Sequence, residues 1–143
     1  MKIEITNRQK IKRVNLKTLS ELLEKAAGLL SISSKTISLI LVDNAFITNL
    51  NKRYLKKTTP TDVIAFDYSE QEKVVSGEIY ISYQRIKDNA ENYNQKIVNE
   101  IHRVVIHGVL HLVGYDDITK NQKEIMTQKE DYYLSLLSKI RFT

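Results

Sequence analysis

No cysteine occurs in the 143-residue chain, so disulfides and thiolate metal sites are excluded and any transition metal must be held by nitrogen and oxygen. No stretch approaches the length of a membrane span, and the opening Met1-Lys2-Ile3-Glu4-Ile5 is a polar, strand-like start without the apolar core of a signal peptide. The expected location is the cytoplasm, with no membrane partner. There is no internal repeat, low-complexity tract or long linker, and 143 residues at 42% hydrophobic content suffice for one sizeable core and not for two. One domain over 1–143 is expected. Acids are missing from two basic runs, 8–13 and 52–57, within a net charge of +5. That balance favours anionic partners only weakly, and from charge alone a solvated loop or helix end is the better reading of both runs.

Periodicity divides the chain into alternating elements. Ile3 and Ile5 alternate with polar residues as in a short strand, and Asn15 is placed to cap a helix with Leu16, Leu19, Leu22, Leu23, Ala26 and Leu30 on one face. The apolar run 37–42 is too short for a helix and rich in β-branched residues, which predicts a central strand buried on both faces. Asp43 or Asn44 then caps a helix carrying Phe46, Ile47, Leu50 and Tyr54. The single proline, Pro60, breaks the helical pattern before a strand over 62–68; 69–76 is turn-like, and 77–82 alternates again, so the two strands pair as an antiparallel hairpin at the sheet edge. Helices follow over 83–93, 95–113 and about 119–137, the last with Ile125, Met126, the Lys129 stem, Tyr133, Leu136 and Leu137 on its apolar side. The fold class is α+β: a four-stranded mixed sheet packed with about five helices.

The stretch His107-Gly108-Val109-Leu110-His111-Leu112-Val113-Gly114-Tyr115-Asp116-Asp117 holds two of the three histidines. Residues four apart on a helix are separated by about 40° of rotation and one turn of rise, so two imidazoles can meet one ion. Gly114 can end the helix in a left-handed conformation and return the chain so that Asp117 supplies a third donor. Two imidazoles and a carboxylate leave one coordination position open, the pattern of catalytic zinc. The bland alternative is a pair of partly exposed histidines on an amphipathic helix. Against it, Val104, Val105, Ile106, Val109, Leu110, Leu112 and Val113 make this helix nearly apolar all round, and such a helix does not carry two polar rings without a partner.

The stretch resembles the signature of the YbeY family, bacterial metal-dependent endoribonucleases of rRNA maturation, written H-G-x-L-H-L-x-G-Y-D-H. Every place agrees except the last, where Asp117 stands for the third histidine. Leu50-Asn51-Lys52-Arg53-Tyr54 and Pro60-Thr61-Asp62-Val63-Ile64-Ala65-Phe66 are similar to the family's L-N-x-x-Y-R and P-T-D-V-L-S-F. Leu55 replaces an arginine that the family associates with activity, and Ala65 replaces its serine. The resemblance implies a zincin-like arrangement, cleavage of single-stranded RNA in rRNA maturation and ribosome quality control, rRNA and the small ribosomal subunit as partners, and no nucleotide cofactor.

One divalent ion, with zinc favoured, is therefore expected on His107, His111 and Asp117. Hydrolysis is the reaction class such an ion serves. Metalloproteases with the two-histidine helix carry a glutamate base directly after the first histidine; here that residue is Gly108, which argues against peptide hydrolysis and leaves the base unassigned. Glu100 and Arg103 fall on the His107 side of the helix, so Arg103 can meet a phosphate and Glu100 an imidazole N–H, although plain exposure at the helix start is the slightly better reading of both. His102, about 140° around from His107, reads as an ordinary surface or core-edge residue. Arg53, Lys56 and Lys57 are candidates to replace the missing family arginine if their loop faces the metal. Three other readings stand beside this one: an rRNA-binding protein with a structural metal, a non-haem iron enzyme, which two histidines and a carboxylate also suit, and another metal-dependent hydrolase.

Overall fold

A computed structural model describes residues 2–8, 15–30, 33–54, 61–70 and 74–139. The elements run β1 (Lys2–Asn7), α1 (Leu16–Leu29), β2 (Ser33–Val42), α2 (Asn44–Tyr54), β3 (Val63–Asp67), β4 (Val74–Ser82), α3 (Tyr83–Asn92), α4 (Ile97–Leu112) and α5 (Lys120–Leu137). The strands form one mixed sheet in the order β1-β2-β4-β3, with β1, β2 and β4 parallel and β3 antiparallel to β4 at the edge. The α+β expectation, the central position of β2 and the edge hairpin are all observed. Local chemistry sets the helix starts: Asn15 accepts from the Thr18 N–H, Asp43 from the Phe46 N–H at 2.7 Å, and Thr119 forms a capping box with Gln122. Two strands begin earlier than the apolar pattern predicts. β2 starts at Ser33 and β4 at Val74, because the polar residues of β2 pair in register with Val74 and Val75, and ladder hydrogen bonding overrides a weak side-chain pattern.

The sheet has two unlike faces. On one, α1, α4 and α5 build the main core, in which Leu22, Leu23, Ile37, Leu39, Leu41, Ile79, Ile81, Val105, Ile106, Val109 and Leu110 are buried. On the other, α2 covers a smaller cluster of Ile40, Val42, Ile47 and Ile64, with Phe46, Leu50, Phe66 and Tyr80 half-buried around it. Along β3 the division is by alternation: Val63 and Ala65 face the main core, Ile64 and Phe66 the α2 side.

Two of the four glycines seat α4 on the sheet. A Cβ at Gly108 would lie 2.7 Å from Ile79 Cγ2, and one at Gly77 would lie 2.5 Å from the Phe66 carbonyl oxygen and 2.6 Å from Leu112 Cδ2. Without side chains at these points the histidine-bearing helix packs directly against β4. Among the described residues no helix is long and apolar enough to cross a membrane.

Candidate metal centre

Helix α4 buries Val104, Val105, Ile106, Val109, Leu110 and Leu112, which leaves His107 and His111 on its remaining flank, each side chain about one-fifth exposed (19% and 23%). The helix ends in a Schellman turn: Tyr115 N–H donates to the Leu110 carbonyl at 3.0 Å and Gly114 N–H to the His111 carbonyl at 3.1 Å, with Gly114 at φ +105°. That reversal carries Asp117 back over the histidines. His107 Nε2 is 3.0 Å from His111 Nε2 and 3.4 Å from Asp117 Oδ2, and His111 Nε2 is 3.6 Å from Asp117 Oδ1.

These distances test the fit of an ion. Donors about 2.0–2.2 Å from a tetrahedral zinc lie about 3.3–3.6 Å from one another. The two histidine–aspartate separations, one to each oxygen of the Asp117 carboxylate, are of that length. The Nε2–Nε2 separation, shorter than that edge, is that of an N–H···N hydrogen bond, and a bound cation would take the place of the shared proton. The three donors lie within 4.8 Å of one another and can hold a metal ion. The donor set fits: it has no sulfur, one carboxylate, and neighbours that leave room on one side.

Behind His107 stands a carboxylate that sequence reasoning did not find. Glu130 of α5 is 7% exposed, and its Oε2 accepts from His107 Nδ1–H at 2.7 Å; a carboxylate only accepts, so Nδ1 carries the proton and Nε2 is turned toward the site. Arg103 donates from Nη1 to Glu130 Oε1 at 2.8 Å and from Nη2 to Asp131 at 2.7 Å. The imidazole holder is therefore Glu130, not Glu100. Its signal was present in the sequence: a charged residue on the apolar stripe of α5, between Met126 and Leu137. Burial disfavours a charge on His107, but the hydrogen bond and charge of Glu130, aided by Asp117 and Asp62, outweigh it and raise its pKa. Burial and the neighbouring His107 lower that of His111, against the pull of Asp117 and Asp116.

A cavity of about 190 Å³ opens beside His107, lined by Asp62, Val63, Glu100, Arg103, Val104 and Glu130. Glu100 reaches this cavity, and burial and Asp62 raise its pKa. Arg103 borders the cavity, but its guanidinium is engaged by Glu130 and Asp131. His102 is half-buried, with its pKa lowered by burial. Arg53 lies in the last turn of α2, on the other side of the sheet from α4, with its guanidinium 6.0 Å from the Tyr54 ring centre. Leu55, Lys56 and Lys57 lie outside the described residues. Asp116 is exposed beside the half-exposed Asp117. At Gly108 the contact with Ile79 leaves no room for a side chain, so a protease-type glutamate cannot stand there without moving α4.

The family model described as Endoribonuclease YbeY matches residues 2–138. The chain belongs to the YbeY endoribonuclease family. An Endoribonuclease YbeY of Karelsulcia muelleri (strain GWSS) is 45% identical over 105 residues, 73% of this chain and 74% of that protein. One of Borreliella burgdorferi (strain ZS7) is 36% identical over 130 residues, 82% of this chain and 84% of that protein. Among solved structures, the solution structure of a Thermotoga maritima protein aligns with a TM-score of 0.63 at 31% identity, covering 93% of this chain and 87% of that one. The stretch that resembles the YbeY signature is the one that folds into this centre, and Asp117, its single departure, lies beside both histidines.

Proposed function

We propose that this protein is a metal-dependent endoribonuclease that cuts single-stranded RNA in rRNA maturation and ribosome quality control. It acts in the cytoplasm on rRNA and the small ribosomal subunit, as one domain over 1–143. One divalent ion, zinc by its donor set, is held by His107, His111 and Asp117. The observation that carries this reading is the convergence of those three donors within 4.8 Å, in a chain whose family is endoribonucleolytic. When bound, such an ion polarises a phosphoryl oxygen and brings the pKa of a water toward neutrality. The chain's own residues prepare the place: Glu130 fixes the His107 ring, Arg103, itself held by Asp131, fixes Glu130, and Gly108 supplies no base for peptide hydrolysis.

The test is cleavage of a labelled single-stranded RNA by wild-type protein, by protein stripped with chelator and reloaded, and by His111→Ala from the same preparation. Cleavage is expected in the wild type, lost on stripping, restored by zinc and absent in His111→Ala. Equal cleavage in His111→Ala would overturn the assignment. Leu55 and Ala65, in place of the family's arginine and serine, favour a second reading: an rRNA-binding protein with a structural metal. It is distinguished by RNA binding without cleavage in the metal-loaded wild type.

A further inference from the structure

The sheet face turned away from α4 carries a row of aromatic rings. Phe46 of α2 stacks on Tyr80 of β4 at 6.1 Å, Tyr80 meets Phe66 of β3 edge-on at 5.9 Å, and Phe66 meets Tyr54 edge-on at 5.6 Å. A guanidinium stands at each end, Arg8 at 4.6 Å over Phe46 and Arg53 at 6.0 Å over Tyr54. Packing accounts for the inner rings, since Phe46, Phe66 and Tyr80 cover the small cluster around Ile47 and Ile64. It does not account for Tyr54, 58% exposed, or for Tyr68, 56% exposed just past the end of β3. Tyr68 and Tyr80 both donate their hydroxyls to the Glu78 carboxylate, at 2.7 and 3.2 Å, and that bond, with burial and the charge of Glu78, pushes the Tyr68 phenol up to about 12. The hydroxyl is thus tied down while most of the ring stays in water, an orientation fixed before any partner arrives.

Exposed rings bordered by guanidinium groups match single-stranded RNA, whose unpaired bases stack on aromatic faces while its phosphates meet the cations. The cations here are the exposed Arg8 and Arg53, beside Phe46 and Tyr54, and the Glu78 carboxylate among the rings accepts from the two hydroxyls. Position supports the same partner. β3 is the edge strand, with Phe66 among the rings on one face and Val63 in the wall of the His107 cavity on the other. A strand passing over that edge reaches both. We propose that this face is a stacking surface for single-stranded RNA, in which Tyr54 and Tyr68 take bases and Arg8 and Arg53 take phosphates. The proposal rests on the ribonuclease reading and adds to it where the substrate lies before it enters the metal centre.

The chain has no tryptophan, so Tyr54→Trp installs a single fluorescent reporter in the otherwise intact protein. Titration with a short oligoadenylate is expected to quench its emission to saturation, and an RNA duplex of the same length is expected to leave it unchanged. By fluorescence anisotropy, Tyr54→Ala and Tyr68→Ala should each weaken oligoadenylate binding about 5- to 100-fold. In cleavage assays the loss should fall on KM and not on kcat, and Tyr54→Phe should recover most of it. No quenching in Tyr54→Trp, with unaltered KM in Tyr54→Ala, would overturn the surface while leaving the ribonuclease intact. Quenching and Tyr54-dependent binding by a wild type that never cleaves would overturn the ribonuclease and retain the surface.

Discussion

The two faces of the sheet are built to different standards. Under α4 the contacts are close: at Gly77 and Gly108 helix and strand approach to where a Cβ would clash, and the large aliphatic residues around them are fully buried. Under α2 the buried apolar cluster among the described residues is four side chains, and half-exposed rings complete the cover. The difference matches what each face is proposed to hold. A metal centre needs three donor atoms fixed relative to one another, which takes a helix that cannot shift and a carboxylate that locks one imidazole. A surface that meets a flexible strand needs exposed rings and cations, and tolerates a looser base.

The largest effect that would break this contrast is removal of a ligand. His107→Ala or His111→Ala should abolish stoichiometric metal binding, measured by elemental analysis after gel filtration, while circular dichroism shows a largely unchanged fold. Full occupancy in both variants would remove the centre from α4. Next in size is the third ligand: Asp117→Ala should weaken metal binding far more than Asp116→Ala in calorimetric titrations. Asp117→His should keep the metal with a lower pH optimum, because an aspartate adds negative charge and makes a bound water less acidic. Comparable affinity in wild type and Asp117→Ala, with loss only in Asp116→Ala, would move the ligand by one residue.

Glu130→Ala should lower metal affinity about 10- to 100-fold through the freed His107 ring, whereas Phe46→Ala, on the α2 face, should cost stability in denaturant melts and leave metal affinity where it was. Equal losses of affinity in the two would erase the distinction between the faces. A smaller effect is expected from pH. Beyond the Nδ1 proton given to Glu130, His107 binds a second proton, on Nε2, more tightly than an ordinary histidine, and an ion must displace it, so metal affinity should fall as pH drops through the raised His107 pKa, by about tenfold per pH unit below it. The smallest is Gly108→Ala, which should cost about 1–3 kcal/mol in chemical denaturation as the new methyl meets Ile79.

What was legible in the sequence was local. Asn15 and Thr119 announce helix starts, Gly114 the turn after the histidines, and the four-residue spacing of His107 and His111 the pincer, because each depends on neighbours within one or two turns. Glu130 escaped because only the packing of α5 on α4 brings it to His107, 23 residues away in the chain. Arg103 was placed on the correct flank, but its partners Glu130 and Asp131 come from that same helix. The ring row was invisible for a similar reason: Phe46 and Tyr54 lie on α2, Phe66 on β3 and Tyr80 on β4, and each fits an ordinary amphipathic pattern in its own element. The early starts of β2 and β4 follow from pairing between strands, which single-strand patterning does not record.

The central claim is that His107, His111 and Asp117 hold one divalent ion in the open arrangement of a catalytic site. Anomalous diffraction from a zinc-loaded crystal tests it most directly. The account predicts a single strong peak about 2.0–2.2 Å from His107 Nε2, His111 Nε2 and an Asp117 carboxylate oxygen, with Glu130 still on His107 Nδ1. A peak held by Asp116 or Glu130 in place of Asp117, or no peak within reach of both histidines, would contradict it.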